Sequence, residues 1–352
     1  MSPEALFQGT HDLLAAKAGG KIGRLLIAAS PTELRQFFPY GLEPAFRKFS
    51  DEIILAETDR LTNQSWAQFL EEASPEVAVT CWSTPPLPHP HSESLRYVCH
   101  LAGSVRGLVS RQHIADGLLV TNWGNSISRT VAEWALFHIL ACLRKAGYWL
   151  PAMHRDGAWK PKVPDTCSLF GRRVGIHGFG SVARELTLLL QPFGVAISVL
   201  APDVDDGLAA EYAIERARDL ESLFAENDVV VELAPLIPET VGIVTEHHLR
   251  LMKPDSVFVN LGRAAIVDQE ALMKVAREGE LRIGLDVFAE EPLPASHQLR
   301  GLPNVVLTPH LGGPTTDRRC DAGRFALNNL ARYASGIHPE AVITLEVFDT
   351  SS

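Results

Sequence analysis

The run Gly175-Ile176-His177-Gly178-Phe179-Gly180-Ser181-Val182-Ala183 decides how this 352-residue chain is read. Residues 173–176 ahead of it have the apolar character of a strand, and residues 181–190 behind it that of a helix. Gly178 suits a tight turn, Gly180 lets backbone N–H groups approach a pyrophosphate, and Ala183 is small enough for close helix–strand packing. The helix N-terminus adds partial positive charge for a diphosphate, and Ser181 and Val182 at its start count as cofactor contacts with the glycines. Gly-x-Gly-x-x-Ala alone also serves ordinary turns. The strand before and the helix after it make this one a dinucleotide site.

A chain of this length exceeds one hydrophobic core, so two domains are expected. Apolar residues make up 46% and charged residues 21%, ordinary values for a soluble globular protein. The net charge of −10 argues against a broad nucleic-acid surface. An anionic substrate would therefore need local positive charge inside a cleft, and Arg263 is the candidate. The cysteines (Cys81, Cys99, Cys142, Cys167 and Cys320) are odd in number and widely spaced, which reads as free thiols in a reducing compartment. The first twenty residues carry Glu4, His11 and Asp12 and no continuous apolar core, so no secretory signal is read there. The most apolar helical stretch, 134–143, is far short of a membrane span. A cytoplasmic protein with neither membrane nor nucleic-acid partner is expected.

Short apolar runs at 25–29, 53–55, 77–81, 97–101 and 118–121, with helical segments at 31–38 and 66–72, suggest a parallel α/β layer. The segment Pro85-Pro86-Leu87-Pro88-His89-Pro90-His91 interrupts it as a stiff loop, and its two histidines lack a third metal ligand nearby in sequence. A long helix is predicted over 128–145, with Ser128 or Thr130 as cap, Glu133 in the first turn, and Arg144 and Lys145 at the end. Its apolar positions wrap nearly all the way round, implying burial against another domain or subunit. After a linker containing Pro161 and Pro164, a second α/β series opens at Arg173, with strands at 195–200, 229–233, 256–260, 282–285 and 305–307. Such a series reads as a doubly wound nucleotide-binding domain, with its ligand past the carboxyl ends of the strands. From about residue 317 the chain reads as helix, then as a short apolar tail over 341–347.

In NAD enzymes the strand after the fingerprint leads to an acid that binds the ribose hydroxyls. Here it runs Val199-Leu200-Ala201-Pro202-Asp203, with Ala201 at the ungapped acidic position and Asp203 two residues later. Two readings stay open for Asp203: a ribose contact, or a solvated loop shared with Asp205 and Asp206. No Arg or Lys stands there to hold a 2′-phosphate, and three aspartates would repel one, so NAD is favoured over NADP.

Three polar islands follow: Val259-Asn260-Leu261-Gly262-Arg263, Leu285-Asp286-Val287-Phe288-Ala289-Glu290-Glu291-Pro292 and Thr308-Pro309-His310-Leu311-Gly312-Gly313. Moving hydride to a 2-oxo acid requires a proton donor for the forming alkoxide and a cation for the carboxylate. Histidine titrates nearest working pH, so His310 suits the acid–base role. Glu291 would favour its charged form and orient it. Arg263 offers a planar donor fork for the carboxylate. Each has an ordinary alternative. Arg263 could be a surface residue after a strand, Glu291 a loop acid beside Glu290, and His310 a cap after 305–307. His247 and His248 read as solvated, and His100, His113 and His138 as structural.

With Gly-x-Gly-x-x-Ala, Asn-x-x-Arg, Asp-Val-Phe-x-x-Glu-Pro and Thr-Pro-His in this order, the chain resembles the D-isomer-specific 2-hydroxyacid dehydrogenases. That family includes D-lactate, D-glycerate and D-3-phosphoglycerate dehydrogenases, and the resemblance is densest over 96–315. It implies an α/β protein of two doubly wound parallel-sheet domains. A Rossmann-type NAD domain (123–316) would be inserted in a flavodoxin-like substrate domain (1–122 and 317–352), with the active site in the crevice. It implies NAD-dependent interconversion of a small D-2-hydroxy acid and its 2-oxo acid, with Arg263, Glu291 and His310 catalytic. Asp286 would bind the nicotinamide amide, Ala234, Pro235, Gly262 and Gly312 would line the cofactor through their backbones, and Thr130 would join them. The loop from His100 to Gly107 would hold the substrate carboxylate through Gly103, Ser104 and Val105. It departs from the family twice: Ala102 stands for the usual glycine and Arg106 for the usual aspartate. A homodimer through helix 128–145 and no extra regulatory domain are also implied. A non-catalytic NAD-sensing, corepressor-like protein on the same fold is the rival reading, and formate or phosphite oxidation is a third.

Overall fold

The computed structural model describes residues 20–350 except 42, 59–60 and 163–164. Glu4, His11, Asp12 and the linker's Pro164 lie outside the described residues. The chain divides into two compact units, one reaching residue 127 and resuming at 314, the other spanning Ser128–Gly313. The sequence-based boundaries at 122 and 317 fall five residues earlier and three later.

The first unit is built on β1 (Arg24–Ala28), β2 (Glu52–Ala56), β3 (Val77–Thr80), β4 (Tyr97–His100) and β5 (Leu119–Thr121), with helices α1 (Pro31–Phe37), α2 (Glu43–Phe46), α3 (Asn63–Ala73) and α4 (Arg111–Ala115). The strands run parallel in the order β2-β1-β3-β4-β5, the flavodoxin-type winding. β1, β3 and β4 sit inside the sheet with both faces covered, which is why they read as unbroken apolar runs. α1 starts where it does because the Ser30 side chain accepts from the Glu33 amide while the Glu33 carboxylate accepts from the Ser30 amide.

The Pro-rich loop does meet a third histidine in space. His89 bonds Asp116 at 2.8 Å and lies edge-on to His113. His113 already uses both ring nitrogens, on Ser110 and on the Pro88 carbonyl. Among the described residues no group of three or more His, Cys, Asp or Glu is set to hold a metal.

The second unit opens with α5 (Ser128–Leu143) and α6 (Ala146–Asp156). Its strands are β6 (Arg173–His177), β7 (Ala196–Leu200), β8 (Glu215–Arg216), β9 (Val229–Glu232), β10 (Val257–Asn260), β11 (Arg282–Leu285) and β12 (Val305–Leu307). Between them lie α7 (Ser181–Leu190), α8 (Asp206–Tyr212), α9 (Leu220–Glu226), α10 (Glu246–Leu251) and α11 (Gln269–Glu278). All pairings are parallel, in the order β12-β11-β10-β9-β6-β7-β8. The winding reverses beside β6, and open α/β sheets take their ligands past the strand ends at such a switch point. Val229 and Val231 pack with α5 and α7 on one face, and Val230 packs with α9 and α11 on the other.

The helix predicted over 128–145 ends at Leu143. Lys145 takes a left-handed φ of 55°, and α6, which the sequence reading did not separate, follows directly. Ser128 is not a cap: it lies in the first turn and its hydroxyl donates to Ser181 Oγ at 2.7 Å. Val131, Ala132, Ala135, Ile139 and Cys142 are buried, the last four in the core shared with α7 and β6. Most of the apolar surface of α5 is thus spent inside its own unit.

The chain returns to the first unit with α12 (Arg319–Ala334) and α13 (Leu345–Thr350). Within the apolar tail at 341–347, Val342 bridges Thr121 and α13 begins at Leu345. This also accounts for Arg106. Its guanidinium donates to the Phe348 and Asp349 carbonyls and stacks over the Phe348 ring, pinning the last helix. All five cysteines are free, and among the described residues no helix is long and apolar enough to cross a membrane.

Candidate active site

At the end of β6 the chain must turn hard against the loop after β9. Gly178 has φ +86°, and a Cβ there would lie 2.6 Å from the Ala234 Cα, so only glycine fits. Next comes α7, whose N-cap is Gly180 and whose first-turn amides receive no side-chain cap. The nearby α8, α9 and α11 are each capped by an aspartate, Asp205, Asp219 and Asp268. Uncapped first-turn amides with open space over Gly180 suit an anionic diphosphate. Ala183 is buried against the β6 core, Ser181 accepts from Ser128, and Val182 is half-buried. These features fit the diphosphate of a dinucleotide.

Sequence reasoning did not single out the pair beneath this turn. His177 Nδ1 meets Glu232 Oε2 at 2.6 Å, and Glu232 Oε1 accepts the Ala234 amide at 2.8 Å. Both side chains are buried, and they tie the ends of β6 and β9 together on the two sides of the switch point. The signal was present: each is an ionisable residue closing an otherwise apolar strand. Pro235 is exposed, and its carbonyl accepts from Thr240 at 2.7 Å. Thr130 is half-buried on α5. Asp203 is exposed in the turn after β7, while Arg216 pairs with Asp206 and Arg218 with Asp219.

Arg263, Glu291 and His310 follow the carboxyl ends of β10, β11 and β12. Asn260, almost fully buried, accepts the Gly262 amide at 3.0 Å and donates to the Arg263 carbonyl at 3.1 Å, closing the turn that sets Arg263. Arg263 Nη1 donates to the Gly262 carbonyl at 2.8 Å. Among the described residues no carboxylate stands within ion-pair distance of Arg263. Burial pulls its pKa down, with Glu291 opposing. Glu291 Oε1 accepts the Phe288 amide at 2.9 Å, and Oε2 meets His310 Nδ1 at 2.7 Å. That bond places a proton on Nδ1 and turns Nε2 outward on a half-exposed imidazole.

Asp286 is 1% exposed. Its carboxylate accepts from Trp134 Nε1, Thr308 Oγ1 and the amides of Leu311 and Gly312, at 2.5–3.2 Å. These bonds tie Asp286 to the loop that carries His310. A Cβ on Gly312 would strike Asp286 Oδ2 at 2.8 Å, so a glycine is needed for this approach. His138, on α5, is buried, and burial pushes its imidazole down to about 4 against the pull of Asp286.

In the first unit, the loop after β4 is held by Asn122, which donates to the Gly103 carbonyl at 2.7 Å, and by the Trp123 ring, 2.6 Å from where a Gly103 Cβ would sit. Ala102 and Val105 are buried and Ser104 is exposed. His100 bonds Thr80 Oγ1 at 2.9 Å and the Ser104 backbone, and burial pushes it down to about 4. It is a structural histidine, bracing this loop.

A family model for the NAD-binding domain of D-isomer specific 2-hydroxyacid dehydrogenases matches residues 136–312. The glyoxylate reductase of Thermococcus gammatolerans is 32% identical over 268 residues, covering 72% of this chain and 77% of its own. The chain belongs to the D-isomer specific 2-hydroxyacid dehydrogenase family. Solved structures agree on the fold of this dehydrogenase. The NAD complex of a D-isomer specific 2-hydroxyacid dehydrogenase from Lactobacillus delbrueckii ssp. bulgaricus has a TM-score of 0.75 at 21% identity, covering 92% of this chain and 100% of that one. The NADPH-dependent glyoxylate/hydroxypyruvate reductase from Sinorhizobium meliloti has a TM-score of 0.69 at 23% identity, covering 93% and 98%. The dehydrogenase is an NAD(P)-dependent oxidoreductase, and its cofactor domain carries the uncapped glycine turn described above.

Proposed function

We propose that this dehydrogenase reduces a small 2-oxo acid of the glyoxylate type to its 2-hydroxy acid, with NADH preferred. The observation that carries this is a half-buried Arg263 with no carboxylate of its own, in a cluster with the His310–Glu291 pair. An arginine so placed binds a carboxylate by its fork and draws electron density from the adjacent carbonyl. When bound, NAD(P)H supplies the hydride. His310 in its charged form gives the Nε2 proton to the oxygen that becomes the hydroxyl, while its Nδ1–H keeps donating to Glu291. The negative Glu291 stabilises the charged imidazolium before transfer and holds the ring still during it. In the reverse direction the neutral ring takes that proton back. The amides of Gly103, Ser104 and Val105 are the proposed further carboxylate donors. The roles follow as substrate domain for residues 1–122 and 317–352 and cofactor domain for 123–316, with Gly178, Gly180, Ser181, Val182, Thr130, Asp203, Ala234, Pro235, Gly262, Asp286 and Gly312 serving the cofactor. Glyoxylate is the acid named by the reductases to which this chain is similar.

The test is loss of NADH absorbance with glyoxylate, hydroxypyruvate, pyruvate and phenylpyruvate, then with NADPH on the best of them. Turnover is expected, greatest on the small acids. kcat/KM should favour NADH only modestly, because Ala201 leaves the acidic position empty and Asp203 is displaced into an exposed turn. Tight NADH binding without turnover on any acid would point instead to the NAD-sensing role. A clear NADPH preference would reassign the loop after β7.

We further infer a homodimer through α5 and α6, where Phe137, Tyr148, Leu150 and Met153 remain exposed at 43–60%. Light scattering should read twice the 38.5 kDa chain mass. Leu150→Glu should dissociate it, and a monomeric wild type would end the idea.

A further inference from the structure

We infer that His138 is a positioning residue for His310, acting through Thr308 and Asp286. The inference rests on His310 being the proton donor.

Trp134 and His138 lie one turn apart on α5 and so share a face. Trp134 Nε1 reaches Asp286 Oδ1 at 3.2 Å, and His138 Nε2 reaches Thr308 Oγ1 at 2.8 Å. The Thr308 hydroxyl lies 2.5 Å from Asp286 Oδ1. A hydroxyl has one proton and an ionised carboxylate can only accept, so that proton points to Asp286. The Thr308 oxygen is then left to receive an N–H, and His138 must supply it from Nε2. Its other nitrogen, Nδ1, is buried without a partner, so a second proton there would be an unsatisfied buried donor. His138 is thereby held neutral and in a single tautomer. Gly284 on β11 makes the room: a Cβ there would fall 2.9 Å from His138 Nδ1 and 3.2 Å from Cys142 Sγ.

What this chain of bonds grips is the backbone around the proton donor. Asp286 holds Thr308, two residues before His310, and the Leu311 and Gly312 amides, just after it, at 2.9 and 2.7 Å. His310 itself has φ 51°, a left-handed conformation that an ordinary side chain avoids unless its surroundings enforce it. The clamp enforces it. The His138 N–H on the Thr308 oxygen fixes the hydroxyl's position while its proton is given to Asp286, so the helix indirectly sets the His310 loop. The ordinary reading is a histidine that merely fills the core, and it makes a different prediction. Replacement by an apolar side chain of similar size would then cost no catalysis.

The experiment compares His138→Leu and Thr308→Val with the conservative His138→Gln and Thr308→Ser. Steady-state kinetics, NADH affinity and thermal unfolding are read for each. His138→Leu and Thr308→Val should lose about 10-fold or more in kcat, the penalty for a misplaced catalytic group, with NADH affinity and unfolding temperature near wild type. Thr308→Ser, which keeps the hydroxyl, and His138→Gln, which keeps an N–H donor, should recover most of the rate. In a His310→Ala background, His138→Leu should add no further loss. Wild-type kcat in His138→Leu, or an equal loss in the His310→Ala background, would overturn the positioning role. Should His138→Leu fail to fold, the Thr308→Val and Thr308→Ser pair decides, since equal kcat in those two overturns it as well. An active His310→Ala enzyme would instead bring down the proton-donor reading beneath it.

Discussion

His310→Ala should cost on the order of 100-fold or more in kcat while NADH still binds, the usual worth of a positioned acid–base group. The imidazole is half-exposed and makes its protein bond through Nδ1 to Glu291 at 2.7 Å, so the outward Nε2 is the proton's exit. Alanine removes that exit without touching the core, because the backbone conformation is held by Asp286 through the neighbouring amides. The loss should therefore appear in kcat, with unfolding temperature and cofactor affinity little changed. Glu291→Gln is the informative companion. It keeps an acceptor for Nδ1–H but removes the charge that stabilises the imidazolium, and so should fall between wild type and His310→Ala. Near-normal turnover in His310→Ala would remove His310 from the mechanism.

Arg263→Lys should be almost as damaging as Arg263→Ala. The guanidinium is anchored by Nη1 on the Gly262 carbonyl, which leaves a planar edge for a carboxylate. An ammonium can keep the charge but cannot serve the anchor and a bidentate partner together. Losing one or two charge-assisted hydrogen bonds, at about 1.5–3 kcal/mol each, corresponds to a loss of about 10-fold to 10,000-fold in kcat/KM. Burial adds to the effect, since the site already disfavours a cation at Arg263 and a lysine there would shed its proton more readily. Kinetics on the best 2-oxo acid decide it. A lysine variant with unchanged KM and kcat would mean that another group binds the acid.

The parts of this protein legible in sequence are those whose physics is local. The glycine turn, with strand before and helix after, announces a dinucleotide cradle because a left-handed Gly178 and an uncapped helix start depend only on neighbouring residues. The paired sheets were legible because strands buried on both faces read as apolar runs. Arg263, Glu291 and His310 stood out as a set, because each follows one of three successive apolar runs, although each alone has an ordinary alternative. The break between α5 and α6 was not legible: nothing in Arg144-Lys145 marks a left-handed residue, and the apolar character continues across it.

Tertiary structure alone decided which distant polar groups meet. Residues 177 and 232 lie fifty-five positions apart, yet they form one buried pair because β6 and β9 are neighbours in the sheet. Arg106 departs from the family pattern in the loop after β4, and it is explained only by the last helix it pins, 242 residues away. Asp286 reads in sequence as a lone acid after a strand, and only the fold brings four protein donors onto its carboxylate. His138 looks like one polar residue in an apolar helix, and only the packing of α5 on β11 and β12 sets it against Thr308. The reason is the same in each case. Local pattern reports how a residue sits on its own strand or helix, whereas a hydrogen bond's worth depends on a partner and a degree of burial that exist only once the chain has closed.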